Sequence, residues 1–335
     1  MSGRWGLTYP LQGIPLSEHG PILREAEELG YTDAWSAEVE ANDAFTPLAA
    51  FAAWTKETRL GCAIASVYNR TPTLLAQTAA AIEELAPGRF CLGIGTSSPV
   101  IVERWNGVPL KQPMTRMRDT IAFLREAWSG EKVVRKVGPY DVKGFRLGRA
   151  PKAAPPKLFV AALREQMLRL AGELGDGAIT NYISPDDAPG IVKIAREAAA
   201  GAGKNADDFD VACRIFVIWT EDRQQAQMLG RFMVSGYLTT PYYYAFHEWL
   251  GRGEALAPMM KAWQAGERQE AVGLVPEKVV DDIFVFGSPD ECKDKIEAYR
   301  ENGISTPVIN IIPTARDREA QAQQSLEAFR ALAPR

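Results

Sequence analysis

Gly93-Ile94-Gly95-Thr96-Ser97-Ser98-Pro99 joins two glycines to three hydroxyl side chains, so its backbone can approach a ligand closely and meet it with amide and hydroxyl donors. Such donors suit a phosphate or another anion. An ordinary strand-to-helix turn uses the same residues, and neither a Walker motif nor a dinucleotide GxGxxG accompanies them. Asn69-Arg70-Thr71-Pro72 offers a second anion site, because the Arg70 guanidinium would stand beside the positive end of the following helix. The alternative is that Arg70 braces its neighbours. Glu38 is either a carboxylate that accepts ligand hydrogen bonds or a solvated loop residue. The two histidines, His19 and His247, stand in no metal-ligand spacing, so no metal site is expected. A GxSxG nucleophile elbow is absent, and no Ser-His-Asp or Cys-His pair can be specified. Tyr237, Tyr242, Tyr243, Tyr244, Phe246 and Trp249 could wall an apolar substrate or pack an insertion.

The elements that must position these groups belong to a chain of 335 residues with 46% hydrophobic and 24% charged side chains, enough for a large core and a solvated surface. That excludes a disordered or fibrous chain. With 38 Lys plus Arg against 42 Asp plus Glu, the formal charge is -4, which argues against nucleic acid as a partner. Cys62, Cys91, Cys213 and Cys292 are widely spaced, and three lie in or beside apolar runs, as expected of reduced core cysteines in a cytoplasmic protein. There is no signal-like start, and no apolar run nears the roughly 20 residues that span a bilayer, so no membrane partner is expected.

Eight short apolar runs predict strands: Trp5 to Tyr9, Asp33 to Ala37, Arg59 to Ala65, Phe90 to Gly95, Lys157 to Ala161, Gly177 to Thr180, Val211 to Trp219 and Pro307 to Ile312. Helical patterns alternate with them. Thr46-Pro47, Thr71-Pro72 and Ser184-Pro185 predict capped helix starts, and Ser288-Pro289-Asp290-Glu291 predicts a capping box. Eight βα repeats favour a closed (β/α)8 TIM barrel over an open doubly wound sheet. The expected organisation is one domain over 1–335, with insertions at the carboxyl-end face near 99–156 and 232–282, and 131–156 as a mobile loop. In such a barrel the useful side chains follow the strands, which selects Tyr9, Glu38, Ala63 to Arg70, Gly95 to Pro99, Ala161 to Arg164 and Asn181-Tyr182.

Trp35-Ser36-Ala37-Glu38, Thr46-Pro47-Leu48-Ala49-Ala50, Arg59-Leu60-Gly61, Arg70-Thr71-Pro72, Gly88 to Thr96 and Ala171 to Gly177, in that order, resemble the bacterial luciferase-like flavin and deazaflavin superfamily. The likeness covers residues 3–313, including Phe286 to Cys292. Gly95-Thr96-Ser97-Ser98-Pro99 together with Trp105-Asn106-Gly107-Val108-Pro109 resembles the F420-dependent oxidoreductase branch.

The resemblance implies coenzyme F420 across the barrel mouth, with a non-prolyl cis peptide at Ala63-Ile64 behind its central ring. It implies Ser66, Tyr68 and Arg70 as ring or phosphate-side contacts and Thr96, Ser97 and Ser98 as holders of the phosphate-bearing tail. Ala161, Ala162 and Gly177 match positions that leave room for the cofactor. The implied reaction is hydride transfer to or from a small organic substrate, with Tyr9, Glu38 or Tyr68 assisting a proton. FMN as cofactor of a luciferase-like monooxygenase is the alternative, and a noncatalytic cofactor-binding accessory protein is another. A homodimer is also implied. The chain departs from the family pattern at Val39, where many members carry histidine after an acid, and at Ser98, where another branch carries an acid. Neither proton-transfer device can be carried over.

Overall fold

The computed structural model describes residues 3–151 and 154–334. Strands β1 (Gly6–Thr8), β2 (Asp33–Ser36), β3 (Arg59–Cys62), β4 (Ala65–Ser66) and β5 (Phe90–Gly95) occupy the first part of the chain. A hairpin, β6 (Val133–Val137) and β7 (Tyr140–Phe145), precedes β8 (Lys157–Ala161), β9 (Gly177–Asn181), β10 (Asp210–Trp219) and β11 (Thr306–Pro313). All except the hairpin form one parallel sheet that closes on itself where Leu60 of β3 lies opposite Phe90 of β5. With β3 and β4 as one interrupted member, the sheet is an eight-membered (β/α)8 TIM barrel, as the alternation predicts.

The helices are α1 (His19–Glu28), α2 (Thr46–Trp54), α3 (Pro72–Leu85), α4 (Pro113–Trp128), α5 (Glu165–Leu174), α6 (Ala188–Gly201) and α7 (Arg223–Tyr237). They continue with α8 (Pro241–Trp249), α9 (Gly253–Ala265), α10 (Arg268–Gly273), α11 (Glu277–Ile283), α12 (Pro289–Glu301) and α13 (Arg318–Ala331). Thr71 accepts a bond from the Leu74 amide at the start of α3, and Ser288 with Glu291 completes the expected capping box. At α2 the expected cap is corrected. Thr46 is already helical, and Asp43 Oδ1 accepts from the Phe45 and Thr46 amides at 2.8 and 3.1 Å.

Small and large residues alternate to fill the narrow barrel. Trp35 lies opposite Gly61 in register, and a Cβ on Gly61 would fall 2.4 Å from the Trp35 ring. Phe159 covers Gly177 in the same way, and the Trp35 and Phe159 rings meet edge to face at 5.8 Å between centroids. At the amino end of the barrel Arg59 bonds to Asp33, to Asp210 at 2.6 Å and to Thr306 at 2.9 Å. This buried cluster plugs the end remote from the strand exits.

Two of the sequence expectations change in outline. The stretch 99–156 contains α4, which packs between α3 and α5 as a regular barrel helix. The stretch expected to be a mobile loop holds the β6–β7 hairpin, whose Val133 and Val137 are buried. Arg116 of α4 fixes that hairpin by donating to Val137 O at 2.7 Å and to Val67 O at 3.0 and 2.9 Å. Between β10 and α12, α7 to α11 build a second core over the barrel mouth, where Phe216 and Ile218 of β10 pack with Val234, Leu256, Met259 and Phe284.

Candidate active site at the barrel mouth

A cavity of about 550 Å³ opens at the carboxyl ends of the strands. Its floor comes from strand exits: Glu38 and Val39 after β2, Ala63 and Ile64 after β3, Thr96 to Ser98 after β5, and Ala161 to Arg164 after β8. Ile179 to Asn181 of β9 and Arg214 of β10 complete the barrel side. Tyr237, Thr240, Tyr242, Tyr243 and Trp249 form the roof, so the aromatic segment does line the cavity. Tyr243 donates to Asn181 Oδ1 at 3.1 Å, which ties roof to floor, and burial pushes the Tyr243 hydroxyl pKa up to about 12.

The Ala63-Ile64 peptide bond is cis, as the resemblance implied. Ile64 then stands against Gly95, where a Cβ would come 3.0 Å from Ile64 Cδ1 and 2.9 Å from Ala161 Cβ. Glycine at 95 thus lets three strand exits close up behind the cavity wall. Ser97 has a φ of 60°, and the hydroxyls of Thr96 and Ser97 make no hydrogen bond within the described residues. Ser98 accepts from the Ile101 amide at 3.3 Å.

Arg70 and Glu38 find each other. The guanidinium engages both carboxylate oxygens, with Nε 3.2 and 3.3 Å from them, while Phe45 lies 4.6 Å beneath its central carbon. Of the two readings open to Arg70, the structure supports bracing, since its charge is already met by Glu38 and by Asp43 at 3.5 Å. Glu38 remains on the cavity wall as an acceptor held in place.

The other implied residues separate from the cavity. Tyr9 is 2% exposed, its hydroxyl has no partner among the described residues, and burial raises its pKa far above the ordinary value. The Tyr68 hydroxyl donates to Lys111 O at 2.6 Å, and burial pushes its pKa up to about 12. Neither tyrosine is on the cavity wall. Ser66 is buried and accepts from the Tyr68 amide at 3.2 Å. Gly177 opens β9 at the amino end of the barrel, so the space it leaves is taken by Phe159 rather than by anything at the mouth.

Arg214 is the cavity residue that sequence reasoning passed over. Its signal was a single cation inside the apolar run Val211 to Trp219. Val211, Cys213, Ile215 and Val217 face the surrounding helices, so Ala212, Arg214 and Phe216 alternate to the inner side. All four cysteines are buried and free, and burial raises their thiol pKa values. Among the described residues, no cluster of three or more His, Cys, Asp or Glu could hold a metal, and no helix is long and apolar enough to cross a membrane.

Comparison with known proteins agrees with this architecture. A Mycobacterium tuberculosis protein whose name includes the words coenzyme F420-dependent oxidoreductase is 28% identical over 327 residues, covering 92% of each chain. The structure of coenzyme F420 dependent tetrahydromethanopterin reductase from Methanopyrus kandleri superposes with a TM-score of 0.77 at 21% identity, over 99% of this chain and 98% of that one. An F420-dependent secondary alcohol dehydrogenase, solved with an F420-acetone adduct, superposes with a TM-score of 0.76 at 18% identity over 99% of both chains. Residues 3–306 match the family described as luciferase-like monooxygenase, and the chain belongs to that family.

Proposed function

We propose that this protein is an F420-dependent oxidoreductase that moves a hydride between the deazaflavin and a small organic substrate. The observation that carries the reading is the composition of the cavity floor. Ala63, Ala161 and Ala162 leave a slot beside the unpartnered Thr96 and Ser97 hydroxyls, at the face where barrel enzymes bind their ligands. The volume of about 550 Å³ lies within the range of roughly 300–1,000 Å³ usual for cofactor and small-molecule sites. The relative with F420 in its name supports the choice of cofactor.

In this arrangement Ala63 and Ile64 would back the ring, and Thr96, Ser97 and the exposed Arg164 at the mouth would hold the phosphate-bearing tail. When bound, the deazaflavin supplies a ring carbon that gives or takes a hydride. Glu38, fixed by Arg70, can orient a substrate hydroxyl or accept its proton. The roof tyrosines cover the cavity and offer hydroxyl donors, a role that passes from the buried Tyr9 and Tyr68 to Tyr237 and Tyr242.

A second reading, oxygen-dependent oxidation with FMN, is favoured by the family description itself. Anaerobic turnover separates the two. Reduced F420 mixed with a panel of carbonyl and imine compounds should be oxidised without oxygen, yielding the alcohol or amine. Product formed only with reduced FMN and oxygen would reject the hydride reading in favour of the monooxygenase.

A further inference from the structure

We infer that Arg214 is the anion receptor of the substrate chamber, and that the substrate carries a carboxylate or similar anionic group on an aromatic or apolar body. This rests on the oxidoreductase reading for the identity of the chamber, and on the following geometry for the rest. Arg214 projects inward from β10 and lines the cavity. No carboxylate among the described residues pairs with it, and its Nε is buried without a hydrogen-bond partner. The Phe216 ring lies 5.5 Å from the guanidinium carbon, Tyr182 packs on Phe216, and Tyr237 and Tyr243 line the same cavity. Those faces offset part of the desolvation cost of a cation but satisfy none of its N–H donors.

Three other arginines packed into the barrel and its wall have partners for their guanidinium groups. Arg59 has Asp33, Asp210 and Thr306; Arg70 has Glu38; Arg116 has two backbone carbonyls. Arg214 is half-buried, and a cation whose Nε is cut off from solvent in a cavity wall, with no carboxylate beside it, is explained by a ligand that completes it. The topology says which ligand. β10 is the seventh barrel member and the β3–β4 strand the third, so Arg214 faces Ala63 and Ile64 across the barrel. A ring backed by Ala63 and Ile64 leaves its exposed face toward Arg214, with Tyr237, Tyr242, Tyr243 and Trp249 above. A planar fork of donors beneath aromatic walls fits a carboxylate carried on a flat apolar body.

Calorimetric titration of the full chain with benzoate and with benzamide, each with and without F420, tests the assignment. Wild type should bind benzoate at least tenfold more tightly than benzamide. Arg214→Met should erase that preference while F420 affinity is kept, and Arg214→Lys should restore part of it. Arg214→Met without ligand should melt no lower than wild type, because a half-buried cation without a partner has been removed. Equal binding of the two probes by wild type overturns the assignment, as does a preference that survives in Arg214→Met. So does a lowered melting temperature, which would make the arginine structural, or a loss confined to F420 affinity, which would give it to the cofactor. Failure of F420 to bind the wild type would reject the oxidoreductase reading and leave the benzoate comparison in the free protein to decide Arg214 separately.

Discussion

Glu38 and Arg70 are 32 positions apart, and each was recognisable in the sequence as a charged residue at a strand exit. Their union was not, because it depends on the parallel register that sets β2 beside β3. Both side chains are 16% exposed, so the pair is only weakly screened by solvent. Replacing Glu38 with glutamine removes one charge and leaves Arg70 leaning on Asp43 at 3.5 Å. The expected cost is about 1–3 kcal/mol, the loss of a hydrogen-bonded charged partner, measured as a lower midpoint in urea denaturation. Arg70→Lys should fail to restore the wild-type midpoint in the presence of Glu38, since an ammonium cannot reproduce the two-oxygen contact. An unchanged midpoint in Glu38→Gln would mean that the pair is not a brace. The same limit explains why Arg214 escaped notice: its type was visible, but its lack of a partner is a property of the assembled cavity.

At the scale of elements, the strands and most helix starts were legible because strand runs, Pro at the first turn and Ser or Thr caps are local signals. The hairpin β6–β7 was not, since what anchors it is Arg116, on a different element. Helix α8 shows another non-local effect. His247 is fully buried in it, and neither ring nitrogen has a partner among the described residues. Burial, reinforced by the charge of Arg252, lowers its pKa from 6.5 to about 3. Between those values the unfolded chain binds a proton that the folded chain does not. Stability is therefore complete above about pH 6.5 and falls as pH drops toward 3, by about 1.4 kcal/mol per pH unit. His247→Phe should flatten this decline in denaturation curves taken between pH 6.5 and 4.5. His19 contributes with the same sign, since burial lowers its pKa as well and its Nε2 accepts from the Leu11 amide at 2.8 Å. An identical slope in His247→Phe and wild type would show that His247 is not held neutral.

For the whole molecule, the barrel separates stability from chemistry along its axis. Arg59, Asp33 and Asp210 close the amino end, while the cavity lies at the carboxyl end. Arg59→Met removes the cation shared by Asp33 and Asp210, leaving Asp33 with Arg4 at 3.2 Å and Asp210 with hydroxyl donors alone, and should cost about 3 kcal/mol of unfolding free energy while leaving F420 affinity unchanged. Affinity lost in parallel with stability would mean that the two ends are coupled. The barrel could be read from the alternation of strands and helices, and an insertion near 232–282 at its carboxyl-end face was legible too; how α7 to α11 pack was not, because they owe their placement to a second core built on Phe216 and Ile218. That roof and the floor beneath it define the site on which the functional account depends. The most direct test is a side-by-side fluorescence titration of the protein with oxidised F420 and with FMN, repeated on Ala161→Leu, whose larger side chain would fill the slot beside Gly95. Saturable binding that prefers F420 at least tenfold and is lost in Ala161→Leu is the expected result. Preference for FMN, or F420 binding untouched by Ala161→Leu, would contradict it.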